Sequence, residues 1–210
     1  MDTKDRILNI KKENYFKKAN LHIHSNCSDG EEDFDSLIEQ AHTLGLEHIS
    51  ITDHNTVEGY KNSKYKDDSI LIKGVEFDCF EGYCYIHILG YGIDIENEKL
   101  KELYAKNKFQ SSGNFRRIIY SRNAKRTIEA IHSAGGIAVL AHPCCYWAIN
   151  LDRFVKKLIS YGLDGIEVYY PYNRFRKIVK FHSRRAPFKI AQKYNLIITG
   201  GLDNHEKLYS

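Results

Sequence analysis

Ten histidines occur in this chain of 210 residues, and most of them stand at or near the end of a short apolar segment. Nine groups of metal-binding type follow one another along the chain: His22, His24, Asp29, His54, Glu76, His87, His142, Asp203 and His205. A single buried histidine is more often a satisfied core residue than a ligand. Burying all nine together without a cation would carry a heavy desolvation cost, so the set predicts a metal site. Imidazole with carboxylate and no thiolate suits zinc, manganese or iron.

Seven apolar or β-branched segments are expected to position these groups, and each is typical of a buried strand. The segments are 21–24, 48–52, 71–77, 85–91, 137–141, 165–170 and 196–200. Helical periodicity lies between most of them, at 34–44, 115–134, 154–159 and 174–194, whereas 107–114 is expected to be a loop. Alternating strands and helices predict an α/β fold with a parallel sheet, and closure into a barrel removes its edges. The histidines then stand at the C-terminal ends of the strands, where such barrels assemble active sites.

Length and composition indicate one globular domain, residues 1–210. Hydrophobic residues make up 42% and charged residues 28% of the chain, both ordinary for a folded protein. No stretch approaches the length of about 18 apolar residues that a membrane span requires, and the N-terminal segment lacks the apolar core of a secretory signal. Five cysteines without regular spacing favour free thiols in a reducing compartment. We therefore expect a cytoplasmic protein without a membrane segment.

The net charge of +4 is small, but the basic residues are unevenly distributed. No acidic residue occurs between Glu102 and Glu129, or between Glu167 and Asp203, and both intervals are rich in Lys and Arg. Basic runs of this kind attract anionic ligands, and the aromatic residues of the second interval could stack on bases or sugars. At any one position a solvated helix face would give the same pattern. Because Arg binds phosphate through two parallel hydrogen bonds, the candidate phosphate ligands are Arg122, Arg126, Arg174 and Arg176.

Four ordered motifs resemble those of the PHP (polymerase and histidinol phosphatase) family of metal-dependent phosphoesterases. They are LHIHS at 21–25 with SDG at 28–30, ITDHNT at 51–56, AHP at 141–143 and DNH at 203–205. GVE at 74–76, IHILGYG at 86–92 and GIEVY at 165–169 also match. The resemblance covers residues 20 to 205, which is nearly the whole chain.

This resemblance implies a distorted seven-stranded (β/α)7 TIM-like barrel that holds two or three divalent ions, which are Mn, Fe or Zn. One ion would be held by His22, His24, Glu76 and Asp203. Glu76 would bridge to a second ion, which His87 and His142 complete. A third ion would be held by Asp29, His54 and His205.

The implied chemistry is hydrolysis of a phosphate ester with a metal-bridging hydroxide as nucleophile. Three carboxylates offset only half the charge of three divalent ions, so the cluster stays positive and suits a phosphate dianion. Paired metals acidify a bridging water and stabilise the attacking and leaving oxygens. Asp53 is expected to orient a ligand, and Glu167 is not expected to coordinate directly. Catalytic contributions are assigned to Asp53, His205, Arg174 and Arg176.

The chain departs from the family pattern at several positions. Asn20 stands where an aspartate is usual, Leu202 replaces a commoner serine, and Glu206 replaces a glycine. None of these changes removes a proposed ligand, although Leu202 takes away a possible hydrogen bond near the third ion. The helical insertion that covers the site in nucleotide-acting members is shortened here, to about 94–134.

Within the family, the GVE, HILGYG and IEVYYP blocks are most similar to those of enzymes acting on nucleoside 3′,5′-bisphosphates and short 5′-phosphorylated RNA. We therefore predict hydrolysis of phosphate monoesters or terminal phosphodiesters of nucleotides, with a nucleotide or a short RNA or DNA end as the ligand. The first alternative is a histidinol-phosphate-type phosphatase, which needs an acidic residue near the pocket to meet an ammonium group. A non-catalytic nucleotide-binding module and an amidohydrolase with a carboxylated lysine are the others.

Overall fold

Eight strands form two sheets in the computed structural model, which describes residues 2–172 and 182–208. A two-stranded parallel sheet joins β1 (Ala19–Ile23) to β2 (His48–Ile51). The six-stranded sheet runs in the spatial order β5 (Arg122–Asn123), β3 (Gly74–Glu81), β4 (Cys84–Tyr91), β6 (Ile137–Leu140), β7 (Gly165–Tyr169) and β8 (Ile197–Gly200). Each of the seven predicted segments overlaps one of these strands, and β5 is an additional strand.

The larger sheet is mixed, so the prediction of a parallel sheet is wrong at one strand. β4 runs antiparallel to both β3 and β6, while β3–β5, β6–β7 and β7–β8 are parallel. Only Gly82 and Tyr83 separate β3 from β4, and Gly82 has a φ of 59°. Two residues can close a hairpin, whereas a parallel connection needs a crossover of about a dozen residues or more.

Isolated parallel bridges link the two sheets. Ile23 at the end of β1 bridges to Asn204, beyond β8, and His54, beyond β2, bridges to Glu76 in β3. These contacts bring the two-stranded sheet beside both β8 and β3. The strands thus form an α/β fold with a mixed sheet, and closure into a distorted seven-stranded barrel stays a prediction.

Nine helices accompany the strands in the described ranges. They are α1 (Thr3–Leu8), α2 (Phe34–Thr43), α3 (Glu58–Asn62), α4 (Glu98–Lys101), α5 (Lys108–Ser111), α6 (Asn114–Ile119), α7 (Ala124–Ser133), α8 (Leu151–Ile159) and α9 (Ala186–Tyr194). Short 3-10 helices span Lys12–Asn14 and Pro143–Cys145. The predicted loop at 107–114 contains α5. Of the predicted 174–194 helix, residues 174–181 lie outside the described ranges, residues 182–185 are not helical, and α9 forms the rest.

The predicted helix over 115–134 is two helices separated by β5. Arg122 and Asn123 pair with Cys79 and Phe80 of β3 instead of continuing α6. The Asn123 side chain then accepts a hydrogen bond from the Arg126 backbone N–H at 3.1 Å and so caps α7. An Asn at this position favours a new helix start over an uninterrupted helix.

The apolar faces of the helices cover the sheets as the periodicity predicts. In α2, Phe34, Leu37, Ile38 and Ala41 are all buried in the main core. The five cysteines are free thiols, as expected. Within residues 2–172 and 182–208, no helix has the length and apolar character needed to cross a membrane.

Candidate metal centre

The nine predicted ligands converge at one place, where the two sheets meet. β1 carries His22 and is followed by His24, while β3 and β4 contribute side chains from within the strands. The remaining ligands stand on the segments that follow β1, β2, β6 and β8. Four overlapping groups of side chains have ligand atoms close enough to share a metal ion: His22–His24–Asp203, His22–Glu76–His142, His24–Asp29–His54–His205 and His54–Asp78–His87.

Glu76 lies at the middle of the cluster and is almost fully buried. Its Oε2 atom is 3.2 Å from Nε2 of His22, 3.2 Å from Nε2 of His24 and 3.3 Å from Nε2 of His54. Its Oε1 atom is 3.0 Å from Nδ1 of His87 and 3.2 Å from Nε2 of His142. One carboxylate therefore faces five imidazoles, three through one oxygen and two through the other.

Asp203 approaches the same cluster from the segment after β8. Its Oδ1 atom lies 3.0 Å from Nε2 of His24 and 3.4 Å from Nε2 of His22. The Tyr170 hydroxyl donates to the other oxygen, Oδ2, at 2.7 Å. Asp203 has a φ of 51°, a left-handed conformation that Asp tolerates better than most residues. Tyr170 thus leaves Oδ1 directed at the two histidines.

The group around Asp29 is looser and more open than the others. Its carboxylate lies 3.4 Å from Nε2 of His205, 3.7 Å from Nδ1 of His24 and 3.8 Å from Nε2 of His54. The Asp29 and His205 side chains are 19% and 35% exposed, while His24 is fully buried. This group is therefore the solvent-facing edge of the cluster.

The donor set fits divalent cations. Among the buried side-chain atoms without a hydrogen-bond partner in the described residues are His22 Nε2, His24 Nε2 and Glu76 Oε2. Buried polar atoms are rarely left without partners, and these three point at one another. A cation between them would satisfy all three, and imidazole with carboxylate is a donor set for zinc, manganese or iron.

Electrostatics favour the ionised form of Glu76, the central carboxylate. Burial would raise the pKa of Glu76, but the charges of His22, His54 and His87 hold it well below its usual range. Burial would lower the pKa of His24, but hydrogen bonding to Asp203 and Glu76 raises it to about 10. The acidic groups therefore provide negative charge in a buried site, and a cation can take the place of the protons on the histidines.

Glu167 lies behind the cluster and belongs to none of the four ligand groups formed by the described residues. Its Oε1 atom lies 3.1 Å from Nδ1 of His22, and Oε2 accepts the His142 backbone N–H at 3.0 Å. Burial raises the pKa of Glu167. A carboxylate on the outer nitrogen of an imidazole fixes the tautomer and directs the inner nitrogen to the metal.

Asp53 holds a loop and belongs to none of the four ligand groups. Its Oδ1 atom accepts the Ser25 backbone N–H at 2.8 Å and the Ser28 hydroxyl at 2.6 Å. Its Oδ2 atom accepts the Ser25 hydroxyl at 2.6 Å. These bonds fix the loop between His24 and Asp29, and the expectation that Asp53 orients a ligand stays a prediction.

Asp78 is a buried acid of the cluster that the sequence analysis missed. Its Oδ1 atom lies 3.4 Å from Nδ1 of His54 and 3.1 Å from Nε2 of His87, and it accepts the Tyr85 hydroxyl at 2.6 Å. The signal was present, because residues 76 and 78 share one face of a strand. The strand had been predicted to end at Phe77, one residue too early to include it.

Of the four predicted phosphate ligands, Arg122 and Arg126 lie in the described residues, and both bond to protein groups. Arg122 donates to the carbonyls of Leu103 and Tyr120, both at 2.8 Å, and Arg126 pairs with Glu102 at 2.5 Å. Arg174 and Arg176 lie outside the described residues. The assignment of all four to substrate phosphate stays a prediction.

Arg117 on α6 was not singled out in the sequence. Its Nη1 atom is 3.0 Å from Asp29 Oδ2, and the side chain is buried. Burial would lower the pKa of Arg117, but Asp78 and Asp29 raise it. It is one of seven basic residues in an acid-free segment, and nothing in that segment marks which of them is buried.

The chain is similar in sequence to known proteins. A family model described as the PHP domain matches residues 20–134. The phosphoribosyl 1,2-cyclic phosphate 1,2-diphosphodiesterase of Eggerthella lenta is 25% identical over 89% of this chain and 94% of its own length. The 5′-3′ exoribonuclease of Haemophilus influenzae is 26% identical over 72% of this chain and 79% of its own length.

Solved structures show the same fold. A candidate metal-dependent phosphoesterase from Bifidobacterium adolescentis aligns with a TM-score of 0.72 at 22% identity, over 91% of this chain and 88% of that one. A structure described as an amidohydrolase from Chromobacterium violaceum, with bound sulfate and no metal, aligns with a TM-score of 0.71 at 20% identity, over 90% and 88%. At these identities the likeness concerns the fold alone.

Proposed function

The chain belongs to the PHP-domain family, and from that premise we propose that it is a metal-dependent phosphoesterase acting on phosphate esters of nucleotides. The observation that carries the proposal is the position of Glu76, whose two oxygens each face a separate set of imidazoles within 3.3 Å. A carboxylate so placed is suited to bridging two cations. We also propose that the isolated bridges between the two sheets complete a distorted barrel around Glu76.

We assign the ligands as the sequence predicted. One ion would be held by His22, His24, Glu76 and Asp203, a second by Glu76, His87 and His142, and a third by Asp29, His54 and His205. When bound, the ions would supply an activated water and neutralise the charge that builds up on the phosphate. The open Asp29 group is where we expect the weakest metal affinity.

The surrounding side chains prepare the site for an anionic substrate. Arg117 places a guanidinium beside Asp29, where it can donate hydrogen bonds to a phosphate as well as to the carboxylate. Glu167 orients His22, and Asp53 holds the loop that carries Asp29. None of the nine proposed ligands is a lysine, which disfavours the amidohydrolase alternative.

The substrate class is inferred from the two relatives and from charge. Both relatives have names that refer to phosphate esters of ribose, one a cyclic phosphate and one RNA. We propose that this chain hydrolyses nucleoside 3′,5′-bisphosphates or short 5′-phosphorylated oligonucleotides. The acid-free basic segments favour such ligands over an ammonium-bearing substrate of the histidinol phosphate type.

Phosphate release by the manganese-loaded protein tests the proposal. Adenosine 3′,5′-bisphosphate, a short 5′-phosphorylated RNA and histidinol phosphate would be compared in parallel. We expect His142→Ala and Asp203→Ala to lose more than about a hundredfold in kcat/KM, because each removes a direct metal ligand. His42→Ala, on the exposed face of α2, should behave as the unchanged protein.

Activity that survives in both ligand variants would contradict the metal mechanism. Phosphate release from histidinol phosphate alone would contradict the assignment of a nucleotide substrate, but it would not contradict the metal mechanism.

A further inference from the structure

An apolar cleft of about 660 Å³ opens beside the metal centre. Two of its lining residues, His87 and His142, belong to the ligand groups described above. The cleft therefore begins at the reacting centre. Its size lies in the range of about 300–1,000 Å³ that is usual for small-molecule sites.

Exposed aromatic and apolar side chains form the rim of the cleft. Tyr83 stands at the tip of the β3–β4 hairpin and is 73% exposed. Trp147 and Ile149, beyond the Pro143–Cys145 helix, are 73% and 89% exposed. Large apolar side chains exposed together beside a catalytic centre indicate a binding surface.

The inner wall is aromatic as well, and its hydroxyl groups are bonded on the side of the metal centre. The Tyr146 hydroxyl accepts the His87 backbone N–H at 2.8 Å, and the Tyr85 hydroxyl donates to Asp78 at 2.6 Å. The polar ends of both rings are thus engaged within the protein. Their carbon atoms contribute to the lining, so the cleft has few polar groups of its own.

A second cleft of about 770 Å³ continues from the first and shares Tyr83 and Ile149 with it. Arg153 and Lys156 on α8 line it and are exposed, while Lys157 is paired with Glu81. The surface that leads away from the metal centre is therefore first aromatic and then mainly apolar, with two exposed basic side chains. Proteins bind single-stranded nucleic acids through this combination, because bases stack on aromatic rings while phosphates meet cations.

We propose that the aromatic cleft binds the base of a nucleotide whose phosphate lies at the metal centre, and that Arg153 and Lys156 in the second cleft bind the next phosphate of an oligonucleotide. This inference rests on the proposed function, because it presumes that the phosphate of the ligand is held at the metals. The two clefts would bind the base and the next phosphate, which are the parts of the ligand that the metals do not contact. The site then recognises the base through stacking, with little dependence on which base it is.

Trp147 is the single tryptophan of the chain, so its fluorescence reports directly on the cleft without any need for turnover. The metal-loaded protein would be titrated with adenosine 5′-phosphate and, in parallel, with ribose 5-phosphate, which lacks the base. We expect quenching by the nucleotide and little change with the sugar phosphate. Tyr83→Ala should weaken the affinity for adenosine 5′-phosphate about tenfold, the effect of one lost stacking contact.

Kinetics supply the second readout. Trp147→Ala should raise KM for nucleotide substrates about tenfold and leave KM for ribose 5-phosphate unchanged. Tyr65→Ala, which removes an aromatic ring that lines neither cleft, serves as the matched control. Arg153→Ala combined with Lys156→Ala should weaken the affinity for a 5′-phosphorylated trinucleotide about tenfold. The same double variant should leave the affinity for adenosine 5′-phosphate unchanged.

The outcomes separate this inference from the proposed function. If phosphate is released but neither aromatic variant changes nucleotide binding, the cleft inference is overturned and the phosphoesterase stands. Equal quenching by ribose 5-phosphate would also overturn it. Quenching by adenosine 5′-phosphate without hydrolysis of any ester would support the cleft and contradict the proposed function.

Discussion

At the scale of single residues, the metal centre depends on carboxylates that divide their oxygens between partners. Glu76 turns one oxygen to three imidazoles and the other to two. Asp203 gives one oxygen to the cluster and the other to Tyr170. Glu167 faces His22 with one oxygen and the His142 backbone with the other. Each acid therefore links the metal ligands to the scaffold or to one another, and this is the arrangement that fixes ligand orientation.

Asp78→Asn tests whether the acid missed in the sequence contributes to metal binding. We expect metal affinity to fall about ten- to hundredfold, because the carboxylate charge beside the outer nitrogens of His54 and His87 is lost. Bound metal per chain, measured at a buffered free concentration, gives the affinity, and far-ultraviolet circular dichroism reports the fold. Asp67→Asn, at an exposed side chain, is the control. Unchanged metal affinity in Asp78→Asn would show that this carboxylate has no part in positioning the ligands.

The sequence identified nine of the ten acids and histidines in the ligand groups because they stand in short motifs beside apolar segments. Asp78 was missed because it lies within a strand that was predicted to be shorter. Arg117 was missed for a different reason, since the burial of one arginine among several depends on how α6 packs. A local pattern does not contain that information.

At the scale of elements, the strands were predictable and the direction of one strand was not. Alternation of apolar segments with helical periodicity locates β1, β2, β6, β7 and β8 well, because burial controls composition at each position. The direction of β4 depends on the two-residue turn at Gly82 and Tyr83. The predicted segments 71–77 and 85–91 leave a longer connection between them and so conceal this turn. The break between α6 and α7 depends on Asn123, a helix cap placed inside an otherwise periodic segment.

Gly201→Ala tests the contact between the segment after β8 and strand β1. A Cβ atom at this position would lie 2.5 Å from the His22 backbone nitrogen. The backbone of β1 or of the segment after β8 would therefore have to move. We expect a loss of about 1–3 kcal/mol in the free energy of unfolding, as in other overpacked sites, together with weaker metal binding. Urea denaturation and bound-metal measurements would test both effects.

Gly45→Ala is the control for Gly201→Ala, because it replaces a glycine that makes no such contact with β1. Its added Cβ meets nothing within 4 Å, but its φ of 65° strains an alanine. It should therefore lose about 1 kcal/mol of stability and keep its metal affinity. Equal metal loss in both variants would contradict the role given to the Gly201 contact.

At the scale of the whole molecule, the metal centre joins parts of the chain that are far apart in sequence. His22 lies in the first strand, His24 directly follows it, and Asp203 follows the last strand, while Glu76 lies in the other sheet. Without cations the cluster holds buried carboxylates and histidines with unsatisfied atoms. The bound ions are therefore expected to stabilise the native state, in which alone the ligands are assembled.

Metal removal should consequently lower the melting temperature of the whole domain. At free metal about a thousandfold above the dissociation constant, binding to the native state alone contributes about 4 kcal/mol. For a chain of this length, that corresponds to a shift of about 10 °C between the chelated and the metal-loaded protein. Calorimetry with and without chelator measures the shift, and added Mn²⁺ should restore the higher melting temperature.

Asp203→Ala, which lacks a central ligand, should show a much smaller difference in melting temperature between the chelated and the metal-loaded protein. A melting temperature that is the same with and without metal would mean that the cluster is assembled and stable by itself, and that cations are not needed to hold the two sheets together.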